Sequence, residues 1–279
     1  APTVSNVSSS TADGTYGANS VIDVTVTFTE NVTVAGGNPQ ITLELGATDR
    51  VATYESGSLS SILTFKYTVQ SGDTSSDLGY VDTASFNLNS ATVRDVVAQN
   101  ATITLPADGG ASDSLKDNKA IVIDGEAPTI TNVSSGTADG SYGLASVIDV
   151  TVTFTENVTV ASGTPHVTLE LGTTDRLAIY ESGSTSSILT FKYTVQAGDN
   201  SADLDYTAST ALNLNSATIR DVGSNNATLT LAAPAAAGAL GNNKAIVIDG
   251  VAPTVSNVSS STADGTYGAP SVIDITVTF

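Results

Sequence analysis

The sequence predicts an all-β chain built from two-sheet sandwiches in tandem. Three features carry that prediction. One phrase recurs at intervals close to 125 residues. Apolar and polar residues alternate with period two through long stretches. Clusters of Gly, Asp, Asn, Ser and Pro interrupt that alternation at short intervals. No stretch shows a helical period.

The repeat sets the domains. Ala-Pro-Thr begins at Ala1, Ala127 and Ala252, spacings of 126 and 125 residues. Residues 20–34 return letter for letter at 146–160, residues 60–70 at 186–196, and residues 118–125 at 243–250. The third copy differs from residues 1–28 only at Pro270 and Ile275. A period this long exceeds a solenoid unit and suits one whole domain per copy. The expected organisation is one repeat over residues 1–126, a second over 127–251, and the first strands of a third over 252–279.

Within a copy the strands follow from the alternation. Ile22, Val24, Val26 and Phe28 fall on one face, with Asp23, Thr25 and Thr27 on the other. Ile41, Leu43 and Leu45 alternate with Thr42 and Glu44, and Leu63, Phe65, Tyr67 and Val69 with Thr64, Lys66 and Thr68. Such patterning means antiparallel strands with one wet face. Turn signals at Asp13-Gly14, at residues 36–39, 55–57 and 71–73 separate them. The expected strands are 3–9, 20–29, 39–45, 50–55, 61–70, 86–94, 101–105 and 118–124. Seven or more short strands per copy point to a sandwich of immunoglobulin type.

Composition removes several functions. The formal charge is −19, from 28 acidic and 9 basic residues. An acidic surface without a basic cluster repels phosphate backbones and anionic membranes, so nucleic acid is not an expected partner. No apolar run approaches a membrane span, so no membrane insertion is expected in this segment. Cys, Met and Trp are absent. Each domain must then rely on its core, bound ions or its neighbours rather than on disulfides.

The phrases Ile-Asp-Gly-Glu-Ala-Pro-Thr at 123–129, Val-Thr-Phe-Thr-Glu at 26–30 and Tyr-Thr-Val-Gln-Ser-Gly-Asp at 67–73 resemble the bacterial Ig-like repeats of very large surface proteins. So does Ile-Arg-Asp at 219–221, followed by Asn-Ala-Thr-Leu at 226–229. Such repeats form long arrays in RTX-type and related adhesins, and the resemblance covers the whole chain. It implies an extracellular, cell-surface stalk or coat segment, often with calcium at domain junctions, and does not imply an active site.

The residues also argue for calcium. A hard cation wants several oxygen ligands converging from loops. In an Ig-like sandwich, Asp13, Asp73, Asp77 and the exit-strand Asp124 are expected at one pole of the first repeat. Glu156 and Asp221 of the second repeat should face them. Asp139, Asp199, Asp203 and Asp249 are the equivalent set at the second junction. The competing reading is that turn aspartates cap their own backbone.

Other groups read as bland. Asp108, Asp113 and Asp117 have no counterparts in the second copy, so a solvated loop is expected there. His166, the only histidine, stands where the first copy has Gln40, which leaves no catalytic triad to assemble. Paired carboxylates lack the aromatic platforms a glycosidase uses. Lys66 and Lys192 fall on the wet face, which disfavours a Lys–Asn cross-link. The Asn-x-Ser/Thr triplets at Asn6, Asn31, Asn100, Asn132, Asn157, Asn226 and Asn257 are expected by chance in such a composition.

The expected function is a structural extender or coat segment whose partners are neighbouring repeats. Two alternatives stay open: a filament subunit joined by strand complementation, and a carbohydrate- or protein-binding module. Residues 252–279 are expected either to open a domain that continues past Phe279 or to donate a hairpin to another chain.

Overall fold

The computed structural model describes residues 1–109 and 113–279. It is the all-β sandwich architecture expected from the alternation. The first copy contains β1 (Val4–Ser8), β2 (Gly14–Tyr16), β3 (Val21–Gly36), β4 (Gln40–Glu44), β5 (Arg50–Ser56) and β6 (Ser60–Thr68). After these come β7 (Thr74–Ser75), β8 (Gly79–Tyr80), β9 (Phe86–Asn87), β10 (Ala91–Arg94), the one-turn helix α1 (Leu115–Asn118) and β11 (Ile121–Asp124). The large curled sheet runs β1-β3-β6-β5-β4-β8, with β10 on β3 and β9 on β4, and a small sheet runs β2-β11-β7.

The alternation places the core as expected. Ile22, Val24 and Val26 are fully buried on the large sheet and meet Ile121 and Ile123 of the small one. Full burial of each such side chain contributes roughly 1.5–3 kcal/mol. β3 pairs with β6 from Val21↔Thr68 to Thr27↔Ile62, slips register before Val32, and then pairs with β10. That bulge bends the strand and re-aims the residues at the slip.

The second copy repeats this plan. Its elements are β12 (Ile130–Ser134), β13 (Gly140–Gly143), β14 (Val147–Ala161), β15 (His166–Glu170), β16 (Arg176–Ser182), β17 (Ser186–Thr194) and β18 (Asn200–Ser201). They continue with β19 (Asp205–Tyr206), β20 (Leu212–Asn213), β21 (Thr218–Arg220), α2 (Leu240–Asn243) and β22 (Ile246–Asp249). Each copy closes around its own buried cluster. The third begins with an exposed hairpin of β23 (Asn257–Ser259) and β24 (Thr276–Thr278).

Four expectations are corrected. Residues 101–105 form no strand, only an isolated parallel bridge from Thr102 to Thr3, and the expected strand 86–94 is split into β9 and β10. The pairing is not wholly antiparallel, because β2 and β11 run parallel, with Gly14↔Ile121 and Tyr16↔Ile123. Finally, α1 exists. Ser114 accepts from the Asp117 amide at 3.3 Å and Leu115 is buried, so Ser-Leu-Lys-Asp is a helix-starting signal too short to register as a period. Among the described residues, no helix is long and apolar enough to cross a membrane.

Candidate functional site at the junction of two repeats

Where β11 leaves the first sandwich, three carboxylates converge. Asp124 ends β11. Glu156 sits at the register slip of β14, between Thr153 and Val158. Asp221 follows β21 and is buried. One oxygen from each lies within 4.8 Å of the others. An open cleft of about 520 Å³ adjoins them, lined by Asp124, Glu126, Thr129, Thr155 and Glu156 with Ser71 and Gly72.

The electrostatics of this cluster are one-sided. None of the ion pairs among the described residues involves its members. Burial and then the charge of Asp221 push the Asp124 carboxyl above the usual aspartate range. Burial and then Asp124 and Asp221 do the same to Glu156. Like charges at this separation repel by about 1 kcal/mol per pair in water and roughly 3 kcal/mol when partly desolvated. The donors are all oxygen, with no thiolate or imidazole among them. That chemistry fits a hard cation of the calcium class better than zinc or copper.

The structure separates the other expected ligands from this cluster for two physical reasons. Asp13 and Asp77 lie at the wrong height. Because β2 runs parallel to β11, Asp13 sits level with Ala120, roughly 13 Å back along the strand from Asp124 at about 3.3 Å per residue. There it accepts from the Ala120 amide at 3.2 Å and pairs with Lys119 at 3.3 Å. Asp77 likewise lies back along β11, since the next amide, Leu78, bonds the Ile121 carbonyl.

Asp73 is at the right height but turned inward, 2% exposed. It accepts from the Tyr67 hydroxyl, from the Gln70 amide at 2.9 Å and from Arg50 Nε at 2.8 Å. Burial alone would raise its carboxyl, but these donors outweigh burial and hold it below the usual range.

In the second repeat Asp139 and Asp199 are placed as Asp13 and Asp73 are, but Asp249, unlike Asp124, joins no carboxylate cluster among the described residues. Asp139 pairs with Lys244 at 3.4 Å and accepts from the Ala245 amide. Asp199 is buried against Tyr193, Gln196 and Arg176. Asp203 and Asp249 are exposed.

A second set of residues, not anticipated from the sequence, holds the junction together. The Asn225 side-chain amide donates to the Asp124 carbonyl at 2.6 Å, to the Glu126 carbonyl at 3.0 Å and to Asp221 Oδ2 at 2.7 Å. Its oxygen accepts from the Ala18 amide at 2.8 Å. Beside it, the Gly17 and Gly223 backbones touch. A Cβ on Gly17 would fall 2.2 Å from the Gly223 carbonyl, and one on Gly223 would fall 2.8 Å from the Asp124 carbonyl. Neither glycine has a positive φ, so both are required for clearance rather than for conformation. The only sequence trace of this set is that Gly223 and Asn225 replace Val97 and Gln99 of the first copy.

The chain matches no family model and no curated protein.

Proposed function

We propose that this chain is an extender or coat segment of a large repetitive extracellular surface protein, with a calcium-class cation at the junction between its repeats. The observation that carries the reading is the end-to-end meeting of two near-copies of one sandwich. That meeting combines a direct hydrogen-bonded contact with a carboxylate triad that has no basic partner among the described residues. The resemblance of the sequence to bacterial Ig-like adhesin repeats supports the extracellular placement. Asp124, Glu156 and Asp221 would hold the ion, which supplies charge neutralisation and ties an exit strand to the next sandwich. The reading assigns the junction a mechanical role and no catalysis.

A cation that binds only the assembled junction stabilises it by mass action. Calcium is therefore expected to raise the melting temperature and narrow the solution-scattering envelope, and chelation to reverse both. Asp124→Ala should abolish the calcium response while leaving both sandwiches folded. If neither melting nor scattering responds to calcium, the cation part of the reading fails.

The exposed apolar face of the β23–β24 hairpin, with Ile275 and Phe279 each 72% exposed, favours a second reading as a polymer contact. Both sandwiches already fill the equivalent position with their own strands. Sedimentation as a monomer at rising concentration would set this reading aside.

A further inference from the structure

The loop at residues 221–226 and its counterpart at 95–100 share one backbone. In both, the first residue's amide bonds the carbonyl four residues on, at 3.3 Å in the second copy and 3.0 Å in the first. Ser224 and Ala98 take the same left-handed conformation, φ 70 and 65. Both leading aspartates are buried and accept from amides within their own loop. The three substitutions between them, Gly223 for Val97, Ser224 for Ala98 and Asn225 for Gln99, therefore act outward. In the second copy Gly223 and Asn225 are buried against the first sandwich, while Val97 and Gln99 stand exposed.

We propose that residues 221–226 are a pairing determinant between repeats. This loop seats the exit pole of a repeat presenting a Gly17-Ala18 turn, and a loop of the first copy's kind is excluded from that pairing. Clearance gives the first half of the rule. Valine at position 223 would drive a branched side chain into the Asp124 carbonyl, which already lies 2.8 Å from a bare Cβ. Reach gives the second half. The Asn225 amide satisfies two carbonyls and a carboxylate while its oxygen takes the Ala18 amide. Glutamine's extra methylene carries the same group past those partners.

The glycine the rule uses recurs at each pole along the chain. Residues 252–279 repeat the first copy's turn as Gly268-Ala269, whereas the second copy reads Gly143-Leu144. The rule deepens the extender reading but stands on clearances and hydrogen bonds, not on the cation.

The chain has no cysteine, so spin labels can be placed at Ala47→Cys and Thr173→Cys, both exposed and one on each sandwich. Distances are measured on the full chain in chelator and again in calcium. The parent is expected to give one narrow distance in chelator. Gly223→Val and Asn225→Gln, tested separately, should each lose it while the melting of both sandwiches is unchanged. The same narrow distance in both variants overturns the rule. A parent that is broad in chelator, narrow in calcium and indifferent to both substitutions also overturns it, yet leaves the cation-bridged extender standing. A parent narrow in chelator, unmoved by calcium and broadened by both substitutions supports the rule and sinks the cation.

Discussion

The strand that leaves the first sandwich and the strand that leaves the second share the sequence Ile-Val-Ile-Asp-Gly, yet their surroundings differ. Asp124 is half-buried beside Glu156 and Asp221, whereas Asp249 is exposed. Gly17 is buried against Gly223, whereas Gly143 is exposed and the nearest atom to its Cβ position is the Asp249 carbonyl at 3.5 Å. A pole residue thus acquires its chemistry from the loop set opposite it. The identical strand ends in one carboxylate and one main-chain carbonyl, the residue after it adds a second carbonyl, and the facing loop decides whether they are engaged.

Inside the sandwiches the comparison should show no difference at all, and the largest expected effect tests that. Tyr67–Asp73–Arg50 and Tyr193–Asp199–Arg176 are the same buried network, with each arginine Nε 2.8 Å from its aspartate. Removing the aspartate leaves the buried tyrosine hydroxyl unpaired and the partly exposed arginine without its carboxylate, at a cost of about 3 kcal/mol. Asp73→Ala and Asp199→Ala should each destabilise their own sandwich by that amount, read by chemical denaturation.

Both carboxyls are held below the ordinary aspartate value of 3.8. The folded state therefore binds the proton less readily than the unfolded chain. The contribution is full above that value and lost as pH falls through the lowered folded pKa. The two sandwiches should weaken together in acid, and Asp73→Ala should reduce the acid-dependent loss of the first alone. Unequal losses from the two alanine variants would show that the sandwiches are not equivalent inside.

At the poles the effects should diverge. Gly17→Ala forces a methyl to within 2.2 Å of a backbone carbonyl, an overpacking strain of typically 1–3 kcal/mol. It is relieved by opening the junction. Gly143→Ala meets only ordinary contact and should be silent. Hydrogen exchange at the Ala18 amide, which donates to Asn225, reports the difference: protection falls in the first variant and holds in the second. Equal protection in both would mean that the glycine pair does not set the approach of the two sandwiches.

How much of this was legible beforehand follows from the range of the interactions. Alternation is local, so the buried stripe Ile22, Val24, Val26 and Phe28 could be read directly, as could its return in the second copy. The carboxylates Asp124, Glu156 and Asp221 were reachable from the polarity of strands alone. Asp13 was misplaced because its height depends on the parallel pairing of β2 with β11, two segments over a hundred residues apart. Asp73 was misplaced because nothing local says which way a turn aspartate faces. Asn225 and Gly223 were visible only as differences between copies, and a difference names no partner until the opposing carbonyls are in place.

The smallest expected effect concerns the flank where the copies have exchanged parts. In the first copy Lys116 reaches across Gly79 toward Asp108, at 3.9 Å. In the second copy glycine and side chain have traded places: Gly241 replaces Lys116 and Asp205 replaces Gly79. The Asp205 carboxylate then accepts from the Ala235 amide at 2.8 Å and the Tyr206 amide at 2.9 Å. Both solutions tether the segment leading to the short helix, by different physics. A partly exposed ion pair at that distance contributes a few tenths of a kcal/mol and is screened by salt. Backbone amides bonded to a carboxylate contribute about 1.5 kcal/mol and are less sensitive to salt. Lys116→Ala should therefore cost the first sandwich almost nothing in high salt, while Asp205→Ala costs the second about 1.5 kcal/mol at any ionic strength. Denaturation of each variant in low and high salt measures both. If Lys116→Ala is the costlier change, the ion pair is the stronger tether and the comparison reverses.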